Sequence, residues 1–444
     1  FPSRLNRTLS YGVTQIHRGH DWMVYFQGCS DLLYHTQYVR EGTLFYNLCS
    51  LSLVYDGLPS PMQKKVHAKL IGRHSMNELM DGYLFSYAPA VTAIDAPYEK
   101  LSQRYYQRGS SPFAGGLSQT NGIGIFTLSF RGHDNPRQFS ATPAAGLSFR
   151  KSFFALGNKI ICLASSIENT GPQTPLHTGL WQEPWRKHKP GTLLLANGQK
   201  IPDGIHYDRQ FSSQNLPWLR YRRNQREDIG IYLWPRQHVV IHCGEQQAGS
   251  RKGEFSTLWL HHPYTPTVWK RSAYAFMLII QPHSDELETL NQQMRSPSPP
   301  YQILRLDDQA HILRDLRLRW TGYVFFQPPT SPLNSNTHLL KAVSSPCLVA
   351  IQQTEHHELR LAVTDPNLHM NRTATDPGWS RPSPIQLTLY GAWKMSEIHH
   401  EEAVPALPVR VLSRTATLTS VEITCRHGLT REFRLVPFAA QTNQ

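Results

Sequence analysis

Residues 113–130 read FAGGLSQTNGIGIFTLSF. A glycine pair, a polar patch and an apolar run follow one another, so Ser118, Gln119, Thr120 and Asn121 stand where a turn displays side chains. These groups donate and accept hydrogen bonds, but none ionises near neutrality. The patch is therefore open to three readings: a binding lip, a catalytic loop that has lost its acid, or a plain turn. A second set, His17, Arg18 and His20 in IHRGHDW, holds groups able to meet an anion or take a proton. The third is the densest basic stretch, WLRYRRNQR at 218–226. It interleaves aromatics with arginines, and Arg220 and Arg222 in it suit forked hydrogen bonds to sulfate or carboxylate. The same pattern also fits a solvated strand face.

Other clusters are weaker. Glu355, His356, His357 and Glu358 are adjacent in QTEHHEL, and neighbours on a strand point to opposite faces, so they do not converge on one ion without a bulge. EIHHEE at 397–402 has the same problem, and LHHPYTP at 260–266 reads as core and turn packing. Asn-Arg-Thr triplets at Asn6 and Asn371 are glycosylation acceptors if the cell glycosylates. There is no phosphate loop with Lys-Ser/Thr and no Gly-x-Ser-x-Gly elbow, and no βαβ pattern surrounds GGLSQTNGIG. No motif indicates a cofactor; a divalent cation is left open, because no oxygen-rich cluster stands out by spacing.

The six cysteines, Cys29, Cys49, Cys162, Cys243, Cys347 and Cys425, form no CxxC pair, and several lie in apolar runs, so buried free thiols are expected. A formal charge of +13 predicts attraction to polyanions. No helix-turn-helix, zinc-finger or RNP signature accompanies that charge, so nucleic acid is not the expected partner and an acidic polysaccharide is. The sequence contains no run long enough to span a membrane as a helix and shows no signal peptide. It starts at Phe1, as a processed chain or a fragment would.

The elements that must position these residues are mostly strands. DWMVYFQG, GIGIFTLSF, KIICLASSI, IGIYLWP, HVVIHCGE and YAFMLII are short, aromatic or β-branched, and bounded by turn residues. Strands at this spacing, without helices between them, predict an all-β chain of antiparallel sheets packed face to face. SDELETLNQQM at 284–294 predicts a helix capped by Ser284 or Asp285, and residues 61–80 carry a weaker helical pattern. RSPSPP at 295–300 reads as a linker, which divides the chain near residue 298 into domains 1–298 and 299–444.

IHRGHDWMVYFQGCS, LSLVYDG, FAGGLSQTNGIGIFTLSF, LSFRKSFFALGNKIICLASSIENT, HTGLWQ, GEFSTLWLHH and YAFMLII, followed by YQILRLDDQAHILRDL, TGYVFFQP and LAVTDPNLHM, resemble polysaccharide lyase family 8, chondroitin ABC lyase branch, over nearly the whole chain. The resemblance implies a large antiparallel β-supersandwich, like that of galactose mutarotase, followed by a smaller C-terminal β-sandwich. It also implies an N-terminal α/α toroid, which is expected before Phe1 or on a companion chain, and a secreted or periplasmic location.

The resemblance further implies β-elimination on a uronate-containing glycosaminoglycan of the chondroitin or hyaluronan type. In that reaction the C5 proton, α to a carboxylate, leaves once the carboxylate is neutralised. In the family the Asn, His and Tyr come from the toroid, while the supersandwich adds an Arg and a Glu. The Glu position falls at Ser118, with Gln119 adjacent, and neither ionises. Arg40, in the loop from Gln37 to Thr43, is the stand-in for the Arg. Arg18, His20 and Asn121 are expected on the cleft wall. The readings that remain open are a lyase with a rebuilt supporting shell, a non-catalytic binder of acidic glycans, and a structural or assembly role for the scaffold.

Overall fold

A computed structural model describes residues 5–33, 37–39, 42–44, 50–55, 82–95, 111–132, 146–170, 175–186, 188–248, 251–262, 272–370, 380–398 and 407–438. The chain is all-β, a large antiparallel supersandwich followed by a smaller β-sandwich. At its centre is a nine-stranded sheet, whose middle strands are Asp228–Leu233, Ser272–Ile280, Lys159–Asn169, Leu147–Leu156 and Gly124–Arg131, with Ala114–Ser118 at one edge. A five-stranded sheet runs Tyr207–Ser212, His238–Ala248, Arg251–His262, Leu176–Pro184 and Thr92–Ile94. A four-stranded sheet is made by Leu5–Leu9, Thr14–Arg18, Trp22–Gln27 and Ser50–Tyr55.

Strand alternation explains the layering. Successive side chains leave opposite faces of a strand. Phe153, Ile160 and Cys162 enter one core with Val239, Ile241, Leu258 and Leu260 of the five-stranded sheet. Their neighbours Phe154, Ile161 and Leu163 enter a second core with Leu313, Trp320, Val324 and Leu348 from beyond residue 300. The nine-stranded sheet is therefore covered on both faces, and its middle strands read as continuous apolar runs for that reason.

After the helix Glu286–Met294, a seven-stranded sheet that includes Tyr301–Leu306, Ala310–Asp315, Trp320–Phe325, Cys347–Gln353, Leu359–Thr364 and Arg431–Pro437 faces a four-stranded one, with its own core between them. Among the described residues no sheet mixes strands from the two sides of residue 298. The helix buries Leu287 and Leu290. It carries no side-chain cap: Asp285 occupies the cap position without bonding, and the Glu286 carboxylate accepts from the His283 backbone N–H at 3.1 Å instead. The helical pattern at 61–80 lies outside the described residues. Cys29, Cys162, Cys243, Cys347 and Cys425 are buried free thiols, and Cys49 lies outside the described residues.

Candidate functional site

The polar patch closes the hairpin between strands Ala114–Ser118 and Gly124–Arg131. The Gln119 backbone N–H donates to the Ile123 carbonyl at 2.8 Å, and the Gly122 N–H donates to the Gln119 carbonyl at 3.0 Å. Gly122 sits at φ 83°, a left-handed position that favours glycine. The side chains then reach outward to other sheets. Ser118 Oγ donates to Asn6 Oδ1 at 2.8 Å, and its backbone N–H donates to Thr430 Oγ1 at 2.8 Å. Trp320 Nε1 donates to Gln119 Oε1 at 2.8 Å. Thr120 donates twice, from its N–H and its hydroxyl, to Glu432 Oε2, each at 3.0 Å. Asn121 Nδ2 donates to Gln352 Oε1 at 2.9 Å.

The turn is thus a clasp between the N-terminal sheet, the nine-stranded sheet and the C-terminal sandwich. This corrects the expectation that Ser118 and Gln119 line an open groove. Gln119 is only 2% exposed, and Ser118 is half-buried with its hydroxyl between Thr8 and Asn6. Asn121 remains at the surface, but its amide is spent on Gln352 and its oxygen accepts from the Ile123 N–H. Arg40 lies outside the described residues.

His17 and Asn6 are held by each other. His17 Nε2 donates to the Gly157 carbonyl at 2.7 Å, and Nδ1 faces Asn6 Nδ2 at 3.3 Å. Burial lowers the His17 pKa to about 4, against the rise from the Gly157 bond, so it is neutral and closed to solvent. Buried and hydrogen-bonded in this way, His17 is closed off as a replacement base, and Asn6, 6% exposed, is closed off as a glycosylation acceptor. Arg18 is half-buried at the end of strand Thr14–Arg18, and His20 is exposed just after it.

The basic stretch is turned inward, which corrects Arg220 as a substrate contact. Its guanidinium forks onto Asp228, with Nε to Oδ1 at 2.9 Å and Nη2 to Oδ2 at 2.7 Å. The remaining protons go to the carbonyls of Pro282, His283 and Ser284. Arg223 is likewise consumed by Glu183, Glu227 and Asp203. Arg222 is half exposed, 3.5 Å from Asp228 Oδ2, and keeps donors for solvent. His356 and His357 lie in a turn, His357 at φ 57°, and Glu358 pairs with Arg434. Among the described residues no group of three or more His, Cys, Asp or Glu side chains is placed to hold a metal ion.

A cleft of about 950 Å³ opens at the other end of the same hairpin. It lies where strands Gly124–Arg131, Leu147–Leu156 and Lys159–Asn169 end, and is bounded by Arg131, Arg150, Ser166, Glu168 and Asp308. Arg150, missed in reading the sequence, lies with its guanidinium 5.2 Å from the centre of the Phe326 ring. Its signal was there: Arg150-Lys151 interrupts an apolar strand, LSFRKSFFAL, so one charge must take each face. Lys151 goes inward and donates to Thr92 Oγ1 at 3.0 Å and to the Ala90 carbonyl.

Residues 86–291 match the model of the super-sandwich domain of polysaccharide lyase family 8. The chain is 25% identical to a chondroitin sulfate ABC exolyase of Bacteroides thetaiotaomicron, over 97% of this chain and 41% of that protein. It is 25% identical to a chondroitin sulfate ABC endolyase of Proteus vulgaris, over 80% of this chain and 33% of that protein. The chain is related to polysaccharide lyase family 8. It spans less than half the length of those curated relatives. Among solved structures, a Paenibacillus xanthan lyase superposes with a TM-score of 0.72 at 13% identity, covering 98% of this chain and 38% of that one. A Streptomyces coelicolor A3 chondroitin AC lyase gives 0.65 at 14% identity, over 98% of this chain and 50% of that one. These likenesses establish the shared fold. In this chain, the turn that joins Ala114–Ser118 to Gly124–Arg131 is a structural joint, and an open cleft with charged side chains lies at the opposite end of those strands.

Proposed function

We propose that this chain is the β part of a family-8-like protein that acts on uronate-containing glycosaminoglycans by β-elimination. The base and acid come from residues outside it, on an N-terminal helical domain or a companion chain. The observation that carries the reading is the alignment to a chondroitin sulfate ABC exolyase over 97% of the chain. Elimination needs a group to take the C5 proton, a donor for the leaving oxygen and a partner for the uronate carboxylate. The described turn offers no group that ionises near neutrality, and its Ser118 and Thr120 hydroxyls, Gln119 Oε1 and Asn121 Nδ2 already bond Asn6, Glu432, Trp320 and Gln352. What the β part can offer a polyanion is the exposed Arg222, the half-buried Arg18 and the exposed His20. Division into domains 1–298 and 299–444, and a secreted or periplasmic location, belong to the same proposal, as a polymeric extracellular substrate requires.

A second reading has a specific observation behind it. Where the resemblance puts a glutamate, this chain has Ser118 and Gln119 built into an interface, which fits a non-catalytic binder of acidic glycan or a scaffold protein. The test is to mix the chain with chondroitin sulfate or hyaluronan, with and without the helical domain expected in the part of the Bacteroides relative that this chain does not cover. Absorbance of the unsaturated uronate is followed alongside binding. Product that depends on the helical domain supports the lyase reading. Binding without product in either mixture supports the binder. Neither binding nor product leaves the scaffold role.

A further inference from the structure

We propose that the cleft at the ends of strands Gly124–Arg131, Leu147–Leu156 and Lys159–Asn169 binds one acidic sugar unit, with Arg150 taking its carboxylate or sulfate ester. The inference rests on the glycan reading above and assigns a site within it. Arg150 is half-buried, and its Nη1 is buried without a hydrogen-bond partner among the described residues. Its planar cation lies beside the Phe326 ring, an arrangement that holds the fork in place without using its N–H donors. Burial holds its pKa below the usual arginine value, against the opposing pull of the Asp308, Asp307 and Glu168 charges. A cation kept partly dry without a counter-ion in contact is costly, and an incoming oxyanion with two acceptor atoms relieves that cost.

The backbone around the cleft is shaped as well. The pairing of Leu147–Leu156 with Lys159–Asn169 shifts register between Ser148 and Arg150. The next pairing outward shifts between Ala164 and Ile167. Ser166, inside that second irregularity, has φ 51°, a left-handed conformation that a serine adopts at a cost. Its Oγ is buried and has no hydrogen-bond partner among the described residues. Bulges of this kind re-aim side chains near ligand sites. Two unsatisfied polar groups on neighbouring strands thus border one cleft. Glu168 and Asp308 stand on the same rim and accept hydrogen bonds from hydroxyls, while repelling a second anion. One anionic group surrounded by hydroxyls is the chemistry of a uronate or a sulfated hexosamine, and it is poorly matched to the phosphate ladder of a nucleic acid.

The test is a calorimetric titration of the 444-residue chain with a chondroitin sulfate hexasaccharide, its desulfated form and its carboxyl-reduced form. The wild-type chain is expected to bind the first. Loss on desulfation marks sulfate as the anion, and loss on carboxyl reduction marks the uronate. Arg150→Gln is expected to weaken binding by roughly tenfold or more, while the surface control Arg410→Gln leaves it unchanged. If Arg150→Gln does not fold, Ser148→Trp fills the cleft from its rim and is expected to abolish binding. Wild-type affinity in a folded Arg150→Gln or Ser148→Trp chain overturns this assignment and leaves the glycan reading standing. No binding by the wild-type chain to any of the three overturns both.

Discussion

Gln119 is adjacent to the position where the family resemblance places a glutamate, and the structure gives it an indole N–H to accept and almost no water. Gln119→Glu restores an ionisable group but not a catalytic one. The new carboxylate would sit in the interface with Trp320 as its donor, so burial would raise its pKa and the chain would lose about 1–3 kcal/mol of stability at neutral pH. Chemical denaturation at pH 7 and pH 5 checks this, with the loss shrinking at the lower pH as the carboxyl protonates. Three buried histidines and the half-buried His262 set the opposite trend for the native chain. Burial lowers His17 and His177 to about 4, and His262 and His311 to about 3, from 6.5 in an open chain. Their contribution to stability is fully present above pH 6.5 and is lost as pH falls toward those values, because the unfolded chain takes up protons that the folded one refuses. Each contributes a slope of about 1.4 kcal/mol per pH unit in that window. The melting temperature is therefore expected to drop steeply from pH 6.5 to 4.5, and His311→Gln to flatten the drop. Residue types alone did not reveal these roles. His17 and His20 look alike in IHRGHDW, and only strand alternation plus the approach of Gly157 buries the first and exposes the second.

The strand Trp218–Arg222 carries its arginines by register. Arg222 lies opposite Asp228 and Arg220 opposite Gly230, and the Arg220 side chain folds onto the Asp228 carboxylate. The same guanidinium holds the carbonyls of 282–284, the segment leading into the helix Glu286–Met294. One side chain thereby ties a strand pair to a helix start that has no side-chain cap of its own. Arg220→Ala leaves Asp228 buried without that fork and is expected to cost about 3–5 kcal/mol. Arg220→Met with Asp228→Leu is expected to recover most of it, and comparing the single and double variants by urea denaturation measures the coupling. At this scale the sequence was most legible. The short β-branched and aromatic runs became strands, and SDELETLNQQM became a helix, because local pattern and burial agree there. The partners of the basic stretch were not legible: Asp228 lies eight residues from Arg220 across a hairpin, and Glu183 forty from Arg223.

Across the whole molecule, the nine-stranded sheet is the common wall. One face packs on the five-stranded sheet and the other shares a core with the seven-stranded sheet, through Phe154, Trp320 and Val324. The turn at 118–121 fastens the same joint with hydrogen bonds. Fold class and family resemblance were legible because long apolar runs need two covered faces and many segments keep their order. The identity of the cleft was not, since it forms where three strand ends and the 307–308 turn converge from distant parts of the chain. Under the proposed function the β part grips the polymer and the proton-transfer groups lie elsewhere. The direct test is to incubate the chain alone with chondroitin sulfate and record unsaturated-uronate absorbance, then repeat with the helical domain expected in the uncovered part of the Bacteroides relative added. The account predicts a flat trace for the chain alone and a rising one with the helical domain. A rising trace from the chain alone, or none in either case, contradicts it.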